Sequence, residues 1–449
     1  LALTRWTSPE RRSFACANIV AEGVGHVRGR LATTFRALRV RNYRLFFLGQ
    51  VVSVTGTWMQ VIAQGWLVYE EITNHSALAL GVITALQQVP VLLFGAWGGV
   101  LADRFDKRRT LLVTQTVAAS TSFALAALVF THTATVTWVG VIVVVTGLAT
   151  VVDLPTRQAF INEMVEPGDV INAVGLNSAL FNASRIVGPG LAALLIHTAG
   201  TGWCFLLDGI SFVAVLCGIL AMRVGELMPT ALVPRAKGQV RAGLRYIRDE
   251  PELRANLVLM FVTGLLAVNF PVVLPVVAKE TFHGDAGTYG LLTGAMGVGA
   301  LFGGLHAAGR RTIDERYMAL AAFGFGSGML VASVAPSLRV ILPILVLTGV
   351  MNITFFATSN TLLQLKAAPE MRGRVLAVRV LAVLGTTPIG APIIGWVCAE
   401  WGGRWGLAVG GFTTVAGAAW LLLDMRGRRL PRLDVEGSTA PIASDPAAV

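Results

Sequence analysis

The residues able to do chemistry in this chain are few and far apart. Asp103 stands before Arg104, Lys107, Arg108 and Arg109; Asp153 precedes Arg157; Arg185 and Asp208 sit in apolar text. Asp153 and Arg157 are four apart, so on a helix they share a face and can pair. Pro155 between them breaks the backbone ladder and bends such a helix. Arg185 falls roughly 20 Å into a long apolar run at a rise of about 1.5 Å per residue. If that run crosses a bilayer, the cation lies near the midplane, costs at least about 2.5 kcal/mol and marks function. The chemistry open to it is recognition of an anionic or catechol-like ligand, or holding an acid in a proton-coupled network. Satisfaction by backbone carbonyls is the purely structural alternative. Asp208 is the nearest candidate acid along the chain, yet it lies only about 8 Å down its own run, which argues against a direct pair.

The elements that must position these groups are membrane spans. Of 449 residues, 54% are hydrophobic and 14% charged, against about a quarter charged in soluble globular chains. The net charge of +11 does not describe a nucleic-acid patch, because the cations recur in short clusters between apolar runs. Nucleic acid is therefore not an expected partner. Cys16, Cys204, Cys217 and Cys398 are scattered without CxxC spacing, and no HExxH, GxSxG or GxxxxGK[ST] occurs. Neither catalysis nor a metal or other cofactor is expected. Without a nucleotide motif, the energy source is an ion gradient.

Twelve runs are long enough to cross. The expected fold is an all-α integral membrane protein with twelve transmembrane helices in two pseudo-symmetric six-helix halves, residues 43–223 and 253–425. Residues 1–42 read as a cytoplasmic disordered extension, 224–252 as a cytoplasmic linker, and 426–449 as a cytoplasmic disordered tail. With both termini inside, 32 of the 36 Lys and Arg fall in cytoplasmic segments, four of them in the loop entering the eleventh span. The positive-inside rule asks for that asymmetry. In the linker, Val240, Leu244 and Ile247 share one helical face and Arg241, Arg245 and Arg248 another, as in a helix at the lipid surface or a solvated linker helix. A repeat appears at an offset of 202: Pro167 and Pro369, Gly188 and Gly390, Gly200 and Gly402. Two halves related in this way place a substrate site between them near the midplane. Gln60, Gln64, Gln87, Asn177, Asn182, Asn269, Asn352 and Asn360 lie within spans and would line such a cavity, or bond between helices.

The stretch Gly99-x-Leu101-Ala102-Asp103-Arg104-x-Asp106-Lys107-Arg108-Arg109 resembles the signature between the second and third spans of the major facilitator superfamily, with Asp106 where the pattern prefers Gly. Gly56-Thr57-Trp58-Met59-Gln60, the segment from Asp153 to Phe160, Asn177-Ser178 and the segment from Phe181 to Pro189 resemble one branch of it. That branch contains enterobactin-type siderophore exporters and macrolide efflux proteins. The resemblance implies a secondary active exporter working by alternating access with proton antiport, a multi-pass monomer of the cytoplasmic (inner) membrane. Its implied partners are lipid, protons and a small molecule: a drug-like compound, a macrolide or a siderophore. It also implies that Asp103 latches an inner gate by meeting the start of the eleventh span near Arg372 and Arg374. Asp153 and Arg157 either extend that gate network or form a static interfacial pair. Gly175, Gly188 and Pro189 match the antiporter signature of the fifth span, while Ser184, Ala192 and Ala193 replace its later glycines. A non-transporting receptor or lipid-handling protein of the same fold is the alternative.

Overall fold

Long apolar runs can satisfy their backbone groups in lipid only as helices. In a computed structural model that describes residues 35–228, 239–310 and 313–427, the regular structure is helical throughout. The first half comprises α1 (Arg41–Trp66), α2 (Ala77–Arg104), α3 (Lys107–Phe130), α4 (Val136–Met164), α5 (Val170–Ala199) and α6 (Thr201–Leu220). α7 (Gln239–Asp249) follows. The second half holds α8 (Pro251–Leu266) and α9 (Phe270–Val276), two pieces of one rod, then α10 (Ala286–Ala308), α11 (Glu315–Ser333) and α12 (Leu338–Lys366). A second broken rod, α13 (Arg372–Leu384) and α14 (Thr387–Trp401), precedes α15 (Gly403–Gly427). Among the described residues, eleven rods are long and apolar enough to cross a membrane. The expected ninth span, α11, is not one of them; it has 19 residues and packs beside α12 and α15.

The two halves repeat each other in detail. π-helical turns, Leu67–Ile72 and Val277–Thr281, end the first and seventh rods. Each is followed by a residue of positive φ, Asn74 at 49° and His283 at 50°. Ser76 and Asp285 then cap the next helix, accepting hydrogen bonds from Ala79 N at 3.2 Å and Thr288 N at 3.1 Å. Gly200 and Gly402 turn the chain at φ of 92° and 86°, a region open to glycine without steric cost.

Packing differs between the two ends of the bundle. At the end away from the Arg104–Arg109 hinge, one core spans both halves, joining Ile62, Tyr69 and Phe205 to Val273, Tyr289 and Phe325. At the hinge end there are two separate cores. Tyr43, Phe46 and Phe160 anchor the first half, and Met260, Phe355 and Val375 the second. Close contact between halves runs through small residues on α2 with α14 and α5 with α10, as helices in lipid require. A Cβ on Gly81 would lie 2.5 Å from the Ala391 carbonyl oxygen, and one on Gly395 2.7 Å from that of Ala77.

Two expectations at the ends of the halves change. Residues 35–42, read as part of the extension, are packed on the first half: Arg36 pairs with Asp169, and Ala37 N donates to Asn172 Oδ1 at 3.0 Å. Residues 1–34 and 428–449 lie outside the described residues. α7 is docked on the second half rather than lying free. Gly243 abuts Arg374, Ala368 N donates to Tyr246 Oη at 3.2 Å, and Ile247 is buried. The side chains of Val240 and Arg241 are outside the described residues.

Candidate functional site

The hinge is built from helix ends. α2 stops at Arg104, and Asp106 caps α3 by accepting from Arg109 N at 2.7 Å, which gives a physical role to an acid where the superfamily pattern prefers Gly. Lys107 Nζ reaches Glu163 at 2.6 Å, both nearly buried. Arg108 donates to the Ile219 and Leu220 carbonyls at 3.1 and 3.3 Å, where a cation suits the C-terminal end of α6. Arg104 and Arg109 are exposed, and Gly99 is half-buried. The side chain of Asp103 lies outside the described residues; its backbone is in the last turn of α2.

Asp153 and Arg157 form the centre of a buried network inside the first half. Asp153 accepts from Thr114 at 2.7 Å and Gln115 at 2.8 Å on one oxygen, and from Arg157 Nε at 3.1 Å on the other. Arg157 also donates to Gln50 on α1, so three helices meet there. Arg374 is not brought to this network. It lies against Gly243 of α7, with Nη1 3.2 Å from Met371 Sδ.

Arg185 and Asp208 are separate. The Arg185 guanidinium lies 5.5 Å from the Trp58 ring centroid, and Trp58 meets Phe181 edge-on at 5.7 Å. Asp208 is fully buried; Ser122 donates to one oxygen at 2.8 Å, and the other has no hydrogen-bond partner among the described residues. That free oxygen would be 2.6 Å from a Cβ at Gly56. Of the fifth-span motif, Gly188 packs on α1, where a Cβ would be 2.5 Å from Trp58 Cβ, and Pro189 is buried. Gly175 has open space around it.

The amides expected to line a cavity divide into groups. Gln60 and Gln64 are buried in the first half, Gln60 Oε1 lying 3.2 Å from Ser122 Oγ. Asn269 is buried at the break between α8 and α9 and donates to Leu265 O at 2.8 Å, while Asn182 donates to Ser178 O at 2.9 Å. Asn352 is buried with its Nδ2 unpartnered among the described residues. Gln87, Asn177 and Asn360 are half-buried. A groove of 640 Å³ between α3 and α4 is lined by the first half alone, so it is not the space between halves.

Sequence reasoning misses a cluster that closes the far end. Lys279 Nζ pairs with Glu70 at 2.5 Å, and Tyr69 Oη donates to Glu280 at 2.6 Å, both across the halves. Lys279 also lies 6.0 Å from the Trp66 ring, and Glu71 accepts from Thr201 at 2.9 Å. Its signal is positional: Glu70 and Lys279 each lie six residues before a cap, Ser76 and Asp285. Opposite charges at matched repeat positions therefore meet across the pseudo-twofold axis.

Repeated six-helix halves sharing one core at one end and holding separate cores at the other, with a charged hinge between α2 and α3, define a transporter of the major facilitator class. The chain belongs to the transmembrane secretion effector family, whose model matches residues 32–444. The staphyloferrin A transporter of Staphylococcus aureus is 26% identical over 372 residues, covering 80% of this chain and 89% of that one. The multidrug efflux pump Tap of Mycolicibacterium fortuitum is 25% identical over 368 residues, covering 78% and 88%. In fold, the nucleoside transporter NupG superposes with a TM-score of 0.67 at 11% identity, over 87% of this chain and 99% of that one. The protein is thus a multi-pass membrane transporter, not an enzyme, in the exporter branch expected from its motifs.

Proposed function

We propose that the protein exports a small molecule across the cytoplasmic membrane by alternating access, in exchange for protons. The observation that carries this reading is the unequal packing of the two ends: a shared core with the Glu70–Lys279 pair at one, and a separate core in each half at the other. Charge asymmetry assigns the hinge end to the cytoplasm. On that orientation the arrangement described is closed outside and open inside, ready to take substrate from the cell. Export is supported by the multidrug efflux pump Tap among its relatives.

In this mechanism substrate enters between the halves, the hinge ends approach, and Asp103 meets the start of α13 near Arg372 and Arg374. The buried Asp153–Arg157 network keeps the first half rigid while it rocks. Asp208 carries the coupling proton. It is a buried carboxyl with no cation against it among the described residues, and its unpartnered oxygen faces α1 at Gly56, so a proton there alters the contact between α1 and α6. One chain contains both halves and works as a monomer.

Uptake into inverted membrane vesicles under an imposed pH gradient tests the reading, using a siderophore, a macrolide and dyes with and without a protonophore. Gradient-dependent accumulation of at least one compound is expected. Accumulation indifferent to the protonophore would remove proton coupling, and no accumulation at all would exclude export of these classes. Asp103→Asn should cut transport while leaving expression intact.

A further inference from the structure

We infer that the transported molecule is an anion with an apolar or aromatic body, held between Arg185 of α5 and Arg379 of α13. The inference rests on the transport reading above and names its substrate class. Arg185 stands on the seam of α5. Ser184 and Gly188 on one side contact α1, and Pro189 and Ala193 on the other contact Gly290 of α10. Arg185 holds its guanidinium over Trp58, whose ring in turn meets Phe181. Its carbonyl oxygen, left without its helical donor by Pro189, lies 3.0 Å from where a Cβ on Gly297 would be.

Arg379 is the counterpart in the other half. It is seven residues, about 10 Å, into α13 from Arg372, on the face that carries the buried Val375, Val378 and Ala382. It therefore points into the protein rather than at lipid, and its Nε is buried without a hydrogen-bond partner among the described residues. Neither arginine has an ion pair or side-chain hydrogen bond among the described residues. Carboxylates toward the hinge end are engaged with other cations: Asp153 with Arg157, Glu163 with Lys107, and Glu252 and Glu315 with Lys366. An arginine within a membrane span faces the bundle interior or a cavity, pairs with an acid or backbone carbonyls, and marks a substrate or ion path. Here each half contributes one, Arg185 midway along α5 and Arg379 about 10 Å into α13 from the hinge end, and a ligand with one or more carboxylates compensates both. The edge-on pair of Trp58 and Phe181, with Arg185 over Trp58, supplies the surface for its apolar body. The guanidinium fork suits carboxylate better than a lysine ammonium would.

The test uses purified full-length protein and two dyes of one ring system and opposite charge, carboxyfluorescein and rhodamine 123, with binding read by fluorescence anisotropy. The wild type should bind the anion about tenfold more tightly than the cation. Arg185→Gln and Arg379→Gln should each weaken carboxyfluorescein about tenfold and leave rhodamine unchanged, as loss of one charge-assisted contact predicts. Arg185→Lys and Arg379→Lys, which keep the charge, should retain the preference and show that the glutamine effect is not misfolding. Equal or tighter binding of rhodamine by the wild type, or a preference surviving the double glutamine variant, overturns the inference. The same dyes in inverted vesicles separate the two readings. Accumulation of rhodamine alone leaves export standing and removes the anion site. Anion-selective binding with no accumulation of either dye keeps the site and removes export of this class.

Discussion

The two ends of the bundle use charge in opposite ways. At the far end, Glu70 of the first half pairs with Lys279 of the second, and Tyr69 donates to Glu280. At the hinge end each described ion pair stays within one half: Lys107 with Glu163 and Asp153 with Arg157 in the first, Lys366 with Glu252 and Glu315 in the second. Pairs within a half survive a rocking motion, whereas pairs between halves must break in it. The first kind belongs to the fold and the second to the working cycle.

That distinction can be broken by substitution. The largest effect on stability should come from Glu163→Gln, which strands Lys107 in a nearly buried site. Losing one partner of a buried pair costs about 3–5 kcal/mol, so thermal unfolding in detergent should show a sharply destabilised protein. Lys279→Glu should leave the melting temperature nearly unchanged, because that pair is partly exposed, yet cut transport by about tenfold or more through like-charge repulsion between halves. The swap Glu70→Lys with Lys279→Glu should restore it, and failure of the swap would show that the pair is not a gate. Gly81→Val should slow transport next most, since its side chain meets the Ala391 carbonyl each time the far end closes. Vesicle uptake reads this directly. Asp208→Asn should preserve folding and downhill exchange while flattening the dependence of uptake on pH; an unaltered pH profile would assign the proton elsewhere. Gly175→Ala should be the smallest change, within about 0.5 kcal/mol of wild type, because nothing lies within 4 Å of the added carbon.

Much of the scaffold was legible because lipid imposes it. Apolar runs must be helices, and loop cations sort by side, so the hinge and the paired halves could be anticipated from residue type and spacing. What stayed hidden depends on which faces meet. Glu70 and Lys279 are 209 residues apart, off the 202-residue repeat, so an offset search anchored on the fifth span passes over them. Arg379 counts among the cations of the loop entering the eleventh span, but α13 starts at Arg372 and carries it inward. Asp208 is apolar-flanked in sequence, and only the approach of α1 at Gly56 and α3 at Ser122 reveals its surroundings. Arg374, expected in one gate network with Asp103, also lies against α7, whose docking face could not be chosen from its pattern alone.

The shift between those two repeat distances has a physical location. From the start of α3 to that of α4 is 29 residues, and from α11 to α12 is 23, so the second half is shorter there. α11 rises about 28 Å and α3 about 36 Å, while the hydrocarbon of a bilayer is about 30 Å thick. Lipid beside α11 must thin, or α11 must stand upright where α3 is free to tilt. The flank of the second half at α11 therefore has less room to tilt than the flank of the first half at α3. A rocking motion that tilts α11 draws the bilayer thinner beside it, whereas the same tilt of α3 does not.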